Sequence, residues 1–337
     1  MRHPDEADLL ARARAGDPAA FDRLAARHRR ELRAHCYRML GSPHDADDAL
    51  QESLLAAWRG LAAFEGRSSL RTWLYQVTTH ACLRFIAQRP KRMLSPDHGP
   101  AFEQTAELGQ PVLEPVWLEP WPDEDVAHDA GGGDPAAGLQ RRETVALAFI
   151  AALQHLPGTQ RAVLILREVL EFSAAEVAEI VDTTVASVNS ALQRAQKTVR
   201  ERAPAAGEPA APAHEGMQEL LHAFVAAWES RDIGALVSLL AEDARFTMPP
   251  LPAWFDGRDN VARFFAERVF QAPWRLRPIR ANGQAGFACY MQAPGDDRYR
   301  LGAVNLLSVR DGRIAAISAF LDRAVFDLFG LVPELPA

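Results

Sequence analysis

The sequence has few cysteines and no long apolar run. Its 337 residues include three cysteines, Cys36, Cys82 and Cys289, which lie far apart and form no Cys-x-x-Cys pair. We therefore expect neither a disulfide framework nor a zinc site, and no cofactor is predicted. The N-terminus lacks the apolar core of a signal peptide, and no stretch long enough to cross a membrane is free of charge. These absences predict a cytoplasmic protein with no membrane partner.

Basic residues are missing from one long segment. Residues 95–140 contain ten acidic residues and no lysine or arginine, so that their charge is −10. Residues 1–94 carry +5, residues 141–203 carry +1 and residues 204–337 carry −3. The net charge of −7 therefore hides a basic N-terminal unit that is suited to nucleic acid.

Two segments are predicted to be linkers. Residues 94–140 combine the acidic charge with seven prolines between 96 and 135 and a Gly-Gly-Gly run, and they hold too few apolar residues for a core. Residues 203–216 are rich in alanine and proline, which is typical of a semi-rigid linker. Three folded units remain, at 5–93, 141–202 and 217–332.

The first unit is predicted to be helical. A helix from Asp45 to Leu61 has a broad apolar stripe on one side. Its opposite face presents Asp48, Glu52 and Leu55, so one apolar residue lies on a polar face. Either Leu55 is a tolerated surface leucine or it contacts a partner.

The second unit contains a predicted helix-turn-helix. Ser173 and Glu176 form a capping box that begins its first helix, and Asp182 occupies the turn position that requires a left-handed residue. Val185, Val188, Leu192 and Ala195 are expected to form the buried stripe of the second helix. The outward face then carries hydroxyl, amide and cationic groups that suit phosphates and base edges.

The third unit is predicted to be α+β with an antiparallel sheet. Helical segments come first, and strands are expected at 245–248, 286–291, 300–309 and 313–320. Asp311-Gly312 between the last two strands is a strong hairpin signal.

Two motifs in the first unit are more specific than a helical pattern. One runs from Asp45-Ala-Asp-Asp-Ala-Leu-Gln-Glu52 to Trp58, and the other is Phe64-Glu-Gly-Arg-Ser-Ser-Leu-Arg-Thr-Trp-Leu-Tyr75. Together with the helix-turn-helix they resemble the extracytoplasmic-function (ECF) sigma factors of the sigma-70 family. The resemblance covers residues 8–93 as sigma region two, a helical bundle, and 141–202 as region four.

This resemblance implies a non-enzymatic subunit that binds core RNA polymerase, melts −10 promoter DNA and reads −35 promoter DNA. The implied polymerase-binding residues are Asp45, Asp48, Gln51, Glu52 and Leu55. Those implied in binding the −10 element are Arg67, Arg71, Tyr75, Gln76, Thr79, His80 and Arg84. Those implied in binding the −35 element are Thr184, Ser187, Asn189, Ser190, Arg194 and Lys197. Aromatic and cationic side chains suit melted DNA, since each stacked base contributes about 1–3 kcal/mol.

Three positions depart from the family pattern. Most relatives carry asparagine where His80 stands, and Asn189 and Ala191 occupy positions usually held by lysine and arginine. The loss of two cations is expected to lower the salt slope of DNA binding by about two at most.

The third unit resembles a SnoaL-like domain, a cone of curved antiparallel sheet wrapped by helices. That family includes cyclases, isomerases and ligand-binding or dimerising modules, so the fold does not fix the function. Catalysis would need a pair of acid–base groups, and the candidates His222, Asp256, Asp259 and Asp322 suggest no pair. The residues expected at a pocket or an interdomain contact are Met248, Trp254, Phe255 and Tyr290.

Three functions stay open for the whole chain. The leading one is a sigma factor whose SnoaL-like domain regulates it in cis through intramolecular contact. The alternatives are a regulator that senses a small-molecule ligand and never binds polymerase, and a SnoaL-like cyclase or isomerase carried on a DNA-binding unit. The acidic linker could follow the basic RNA channel of the polymerase, as the resemblance implies, cover the cations of region two, or be a solvated spacer.

Overall fold

The computed structural model describes residues 4–114, 116–123, 146–202 and 214–337. Its contacts divide the chain into two compact units instead of three. The first unit of the structure is Met1–Arg92 with Ala148–Ala203 and so contains both predicted helical units, and the second unit is Met93–Leu147 with Pro204–Ala337. The glycine run of the acidic segment and most of the Ala/Pro linker lie outside the described residues. In the part of the chain that is described, no helix is long and apolar enough to cross a membrane. The linker boundaries drawn from composition stay predictions.

The first unit begins with four helices that pack around an apolar core. Asp17 caps α2 (Pro18–Leu40) by accepting from the backbone N–H groups of Ala19 and Ala20, and Gly41 ends that helix at a φ of 75°. Ser42 caps α3 (Pro43–Gly60) and Ser69 caps α4 (Leu70–Gln88) through the same kind of bond. The helices are α1 (Pro4–Arg14), α2 (Pro18–Leu40), α3 (Pro43–Gly60) and α4 (Leu70–Gln88).

The same unit contains four further helices that include the predicted helix-turn-helix. They are α5 (Leu147–Gln154), α6 (Gly158–Leu164), α7 (Ala174–Ile180) and α8 (Val185–Arg202). The capping box is confirmed, because Ser173 N donates to Glu176 Oε2 over 2.9 Å and Glu176 N donates to Ser173 Oγ over 3.2 Å. Asp182 has the expected left-handed backbone, with a φ of 50°.

The buried stripe of α8 differs from the predicted one at three positions, and Leu192 is only half-buried. Val185 is 44% exposed, because it lies at the first residue of the helix, beyond the core. Ala191 is 7% exposed and packs inward with Val188 and Ala195. The prediction for Val185 is therefore wrong.

The second unit is α+β. Its strands are β1 (Leu240–Thr247), β2 (Trp254–Asp256), β3 (Trp274–Ala281), β4 (Gln284–Met291), β5 (Arg298–Arg310), β6 (Arg313–Phe320) and β7 (Glu334–Pro336). They form one sheet of order β2-β1-β6-β5-β4-β3, with β7 paired to β5. The helices are α9 (His214–Ser230), α10 (Ile233–Leu239), α11 (Arg258–Glu267) and α12 (Arg323–Leu328). The sheet is mixed rather than wholly antiparallel, because β1 and β6 run parallel.

One face of this sheet and its helices enclose an aromatic core. Phe224 and Trp228 of α9 meet Phe264 and Phe265 of α11 and Phe287 of β4 there. The hairpin signal is confirmed, since Arg310 pairs with Arg313 and Asp311 has a φ of 53°.

The described part of the acidic segment belongs to the second unit and packs on its α+β part. Met93 N donates to Val116 O over 2.8 Å, and Leu118 N donates to Met93 O over 3.0 Å, so the segment closes a loop on itself. Trp117, Leu118 and Trp121 are buried. The composition of this segment predicts that none of its side chains joins a core. That prediction is wrong for these three side chains.

Candidate polymerase and promoter interfaces

One face of α3 exposes four of the five residues implied in polymerase binding. Asp48, Gln51 and Glu52 are exposed, and Leu55 is 49% exposed, an unusual value for a large apolar side chain. The face borders a groove of about 510 Å³ between α2 and α3, lined in part by Phe21, Leu54, Leu55 and Trp58. A leucine at the edge of an apolar groove and beside carboxylates suits a protein partner.

Asp45, the fifth residue of that set, is placed differently. Its side chain is 8% exposed and forms ion pairs with Arg89 and Arg92, which follow α4. The ion pair with Arg92 has a distance of 2.6 Å. Asp45 therefore joins the N-terminal end of α3 to the residues after α4, and it is not presented to a partner.

Two of the α4 side chains implied in binding the −10 element lie in the core. Tyr75 is fully buried, packs edge-on against His35 and Phe172, and donates to Glu31 Oε2 over 3.3 Å. Thr79 is also fully buried, and its Oγ1 lies 3.0 Å from His35 Nε2. Burial raises the pKa of Tyr75. It lowers the pKa of His35 to about 3, with a smaller effect from Arg38.

Arg71 is held beside these residues. Its Nε lies 2.9 Å from Glu31 Oε2, and its guanidinium lies 5.0 Å from the ring centroid of Tyr75 and 4.6 Å from that of Phe172. Burial alone would raise the pKa of Glu31, but His28 and Arg71 more than offset it and lower the pKa.

Gln76 and His80 contact the turn of the helix-turn-helix. Gln76 Nε2 donates to Glu179 O over 3.1 Å, and His80 Nε2 lies 3.0 Å from Ile180 O. Asp182 is 3.4 Å from each of the two side chains. These partners are 100 or more residues away in the sequence.

Arg67 and Arg84, the other two side chains implied at the −10 element, are solvent-accessible. The Arg67 side chain is 86% exposed and pairs with Glu65, and that of Arg84 is 51% exposed and pairs with Glu52. The structure therefore brings together Arg71, Tyr75, Gln76, Thr79 and His80, two of them buried, and leaves two arginines at the surface.

The side chains implied at the −35 element share one exposed face of α8 and its cap. All six, Thr184, Ser187, Asn189, Ser190, Arg194 and Lys197, are exposed. Thr184 caps the helix, because its Oγ1 accepts from Ser187 N over 3.2 Å. The face offers hydroxyl, amide and cationic groups without a carboxylate among the six.

The four candidates for a pocket in the second unit are buried in packing contacts. Met248 and Phe255 belong to the aromatic core, and Tyr290 lies in a separate cluster with Tyr299. Trp254 is 8% exposed, and its Nε1 donates to Gly99 O over 2.9 Å. Met248 and Phe255 therefore lie in one packing cluster and Tyr290 in another, while Trp254 contacts the segment between the two sigma regions.

The acid–base candidates form no pair. His222 is exposed on α9, and Asp322 is exposed and caps α12 by accepting from Ala324 N over 2.9 Å. Asp256 pairs with Arg245 over 3.0 Å, and Asp259 lies in the first turn of α11. In the described residues no group of three or more histidine, cysteine, aspartate or glutamate side chains could hold a metal ion.

Sequence reasoning missed Phe172 and Asn282. Phe172 comes immediately before the capping box, and nothing in the neighbouring sequence indicates a contact with α4. Asn282, beside Gly283 in a turn, could have been identified as a left-handed residue, since asparagine is enriched there and its φ is 55°.

Family models match three parts of the chain. They are sigma-70 region 2 at residues 24–92, sigma-70 region 4 at 146–199 and a SnoaL-like domain at 221–317.

Two relatives match nearly the whole chain. The ECF RNA polymerase sigma factor SigG of Mycobacterium tuberculosis is 41% identical over 313 residues, which is 91% of this chain and 83% of the relative. The crystal structure of the M. tuberculosis extracytoplasmic function sigma factor SigJ matches with a TM-score of 0.59 and 25% identity, covering 89% of this chain and 96% of the other. This chain therefore belongs to the ECF RNA polymerase sigma factors and carries a SnoaL-like C-terminal domain, so it is a transcription initiation factor and not an enzyme.

Proposed function

We propose that the SnoaL-like domain regulates this sigma factor in cis by binding the segment between its two sigma regions. As an ECF sigma factor the chain acts with core RNA polymerase on promoter DNA. The observation that carries the proposal is the packing of residues 93–114 and 116–123 on the SnoaL-like domain. We call these residues the docked segment.

The first anchor of the docked segment is at β2 and the loop before it. Phe102 N donates to Trp254 O over 2.8 Å, and Val112 N donates to Pro250 O over 2.9 Å. Phe102 and Leu108 pack against the aromatic core. Backbone bonds combined with buried side chains are typical of the recognition of an extended peptide by a sheet edge.

The second anchor is at the turn between β3 and β4. Asn282 N donates to Trp121 O over 2.9 Å, and Trp121 N donates to Asn282 Oδ1 over 2.8 Å. Asp123 accepts from Gly283 N over 2.8 Å and pairs with Arg280 over 3.3 Å. Asn282 and Trp121 are both buried, so this exchange of two hydrogen bonds is shielded from water.

Docking of this segment competes with its use in transcription. In sigma factors the linker between regions two and four follows the RNA channel of the polymerase, and the same residues cannot lie in that channel and on the SnoaL-like domain. The SnoaL-like domain would therefore control how readily the linker is released. Removal of the domain would favour initiation.

We also propose that the residues implied by the family resemblance contact core polymerase and promoter DNA. Asp48, Gln51, Glu52 and Leu55 would bind core polymerase, since they share one exposed face of α3. The exposed face of α8 would bind −35 DNA. Arg67 and residues of α4 would bind −10 DNA, and the side chains of Arg67 and Arg84 are solvent-accessible.

The test is run-off transcription with purified core polymerase and a promoter selected from genomic fragments. Asn282→Gly removes the side chain that holds Trp121 and keeps a residue that favours the left-handed backbone. We expect it to increase transcription several-fold, as should removal of residues 204–337. The control is Asp311→Gly, which makes the same kind of replacement in a left-handed turn, at an exposed residue outside the described contacts of the docked segment.

Unchanged transcription from both Asn282→Gly and the truncated chain would contradict regulation through the docked segment. Failure of every form to initiate at any genomic promoter would contradict the proposed contact residues instead.

A further inference from the structure

We propose that a cavity in the first unit binds a small anion that carries a diphosphate group. The cavity has a volume of about 290 Å³, close to the lower end of the range found for small-molecule sites. Most of its lining comes from residues 85–92, at and after the end of α4, and from residues 154–161, where α5 is connected to α6. We call it the basic cavity. All of its lining belongs to the first unit, so the proposal is independent of regulation by the SnoaL-like domain.

Cations outnumber carboxylates in the lining of the basic cavity. Its four cationic side chains are Arg89, Lys91, Arg92 and Arg161. Asp45 is the one carboxylate among the described lining residues, and it pairs with both Arg89 and Arg92. Asp48, outside the lining, lies 3.5 Å from Arg89. Because like charges in so small a volume repel one another, the basic cavity favours an anion.

Arg161 is a buried cation whose described partners are neutral oxygens. The residue is 4% exposed. Its guanidinium donates to Gln154 Oε1 over 2.6 Å and to Gln154 O over 3.1 Å. The carbonyl oxygens of Leu156 and Met39 also accept from it, the first over 3.2 Å. Burial lowers the pKa of Arg161 to about 10, because the charged form gains little from opposite charge at this position.

One donor of Arg161 is left without an acceptor. Its Nε is buried and makes no hydrogen bond within the part of the chain that the structure describes. Carbonyls at the ends of α2 and α5 offset some of the positive charge, since helix C-termini carry partial negative charge. They do not satisfy Nε, and an unpaired buried N–H is unfavourable. A phosphate oxygen in the basic cavity would supply both an acceptor and the opposite charge.

Lys91 and His155 supply further donors from the two sides of the basic cavity. Lys91 Nζ lies 3.1 Å from His155 Nδ1, and an ammonium group that donates to Nδ1 leaves the imidazole with its N–H at Nε2. Lys91 is exposed and His155 is half-buried, so solvent reaches both residues. A lysine that acts as a point charge beside planar guanidinium groups is a combination suited to phosphate oxygens.

The size and charge of the basic cavity favour a diphosphate over a single phosphate. Two linked phosphates can contact cations from both parts of the lining, whereas one phosphate reaches fewer of them. The group can come from free pyrophosphate or from a nucleoside diphosphate, whose organic part would meet apolar lining such as Phe85, Ile86 and Leu156. Because the whole chain has a net charge of −7, it does not attract anions in general. The chain would then respond to a small phosphorylated molecule through its sigma regions.

The first experiment is isothermal titration calorimetry of the full-length free protein with pyrophosphate, ADP, inorganic phosphate and adenosine. We expect one site for pyrophosphate or ADP with a Kd below about 100 µM, and binding of inorganic phosphate at least about tenfold weaker. Tighter binding of ADP would identify a nucleotide as the ligand, and tighter binding of pyrophosphate would identify the free anion. Adenosine that binds as tightly as ADP, or no heat with either diphosphate, would overturn the proposal.

The second experiment compares matched charge variants. Lys91→Ala should weaken binding of the diphosphate about tenfold, and Lys91→Glu should weaken it further. Arg30→Ala and Arg30→Glu are the controls, because Arg30 is also an exposed cation of the first unit but lies outside the lining of the basic cavity. Their affinities should change by less than about twofold, since only distant, screened charge is altered. Equal losses for the Lys91 and Arg30 variants would overturn the site.

Arg161→Gln tests the buried cation and should abolish diphosphate binding. Arg161 also caps two helices, so this variant is compared with wild type by hydrogen exchange before titration. If the variant does not fold, the Lys91 variants decide the question, because Lys91 is exposed. A folded Arg161→Gln protein that binds pyrophosphate as tightly as wild type would overturn the role of Arg161 and with it the proposed site.

The third experiment locates the ligand. Hydrogen exchange of the full-length protein with and without saturating pyrophosphate should show added protection in peptides that cover 85–92 and 154–161. Peptides of α8, which carries the exposed cations Arg194 and Lys197, should exchange equally with and without the ligand. Protection confined to α8 would show that the anion binds the exposed face of that helix, and it would overturn the basic cavity as the site.

Discussion

Asp45 Oδ2 lies 2.6 Å from Arg92 Nη2, and both side chains are almost excluded from solvent. Asp45 also pairs with Arg89, so one carboxylate compensates two guanidinium groups that follow α4. The family motif implies a polymerase contact for Asp45, whereas its surroundings give it a structural role.

This relationship predicts different effects for two neighbouring aspartates. Asp45→Asn removes the charge that Arg92 faces in a buried position, and it should destabilise the first unit by about 3 kcal/mol. Asp48→Asn, at an exposed position, should change stability by less than about 0.5 kcal/mol. Hydrogen–deuterium exchange of α3 and α4 peptides measures both, since it follows this unit separately from the other. Equal protection in the two variants would contradict the structural role.

The exposed face of α3 gives a prediction about polymerase binding. Charge reversal of Asp48 and Glu52 to lysine should abolish co-purification with core polymerase, and Leu55→Ala should weaken it by about tenfold. Charge reversal of Glu65 and Asp8, which are exposed on other parts of the first unit, is the control and should leave co-purification intact. A regulator that never binds polymerase would show no co-purification with any form.

His35 predicts a dependence of stability on pH. Burial lowers its pKa from 6.5 to about 3, so the unfolded chain takes up a proton that the folded chain excludes. The stability contribution of neutral His35 is complete above pH 6.5 and is lost as the pH falls toward 3, by about 1.4 kcal/mol per pH unit.

His35→Gln keeps a polar partner for Thr79 and cannot be protonated in this range. Protection of α2 and α4 from hydrogen exchange, corrected for the intrinsic rate, should therefore fall more steeply between about pH 7.5 and about pH 5.5 in wild type than in His35→Gln. Parallel pH profiles of the two proteins would show that His35 is not excluded from protonation.

Local signals were enough to predict several elements. The capping box at Ser173, the left-handed turn at Asp182 and the Asp311-Gly312 hairpin each depend on residues close in sequence, so each could be found from the sequence alone. The strand Trp274–Ala281 was not predicted, because it contains Pro278 and three arginines. Such a strand is tolerated at the edge of a sheet, and β3 is an edge strand.

The long-range contacts could not be predicted in the same way. Tyr75 and Phe85 look alike in a pattern of aromatic and basic residues, but only Tyr75 is buried against Phe172, a residue of the other sigma region. Trp121 stands in a proline-rich acidic sequence, and its burial depends on Asn282, 161 residues later. Local composition contains no information on which distant surface a side chain will meet.

The second helix of the helix-turn-helix, α8, gives the last prediction. Asn189 and Ala191 both depart from the family pattern, but they differ in burial. Asn189 is exposed, so Asn189→Lys should add one phosphate contact and steepen the salt dependence of DNA binding by about one unit of slope. Ala191 is 7% exposed and packs with Val188, so Ala191→Arg should destabilise region four by about 1–3 kcal/mol rather than strengthen DNA binding. Holoenzyme affinity for promoter DNA measured at several salt concentrations, together with hydrogen exchange of α8, distinguishes the two. If Ala191→Arg instead raises both affinity and slope without loss of protection, Ala191 faces DNA and the observed packing of α8 does not persist on the promoter.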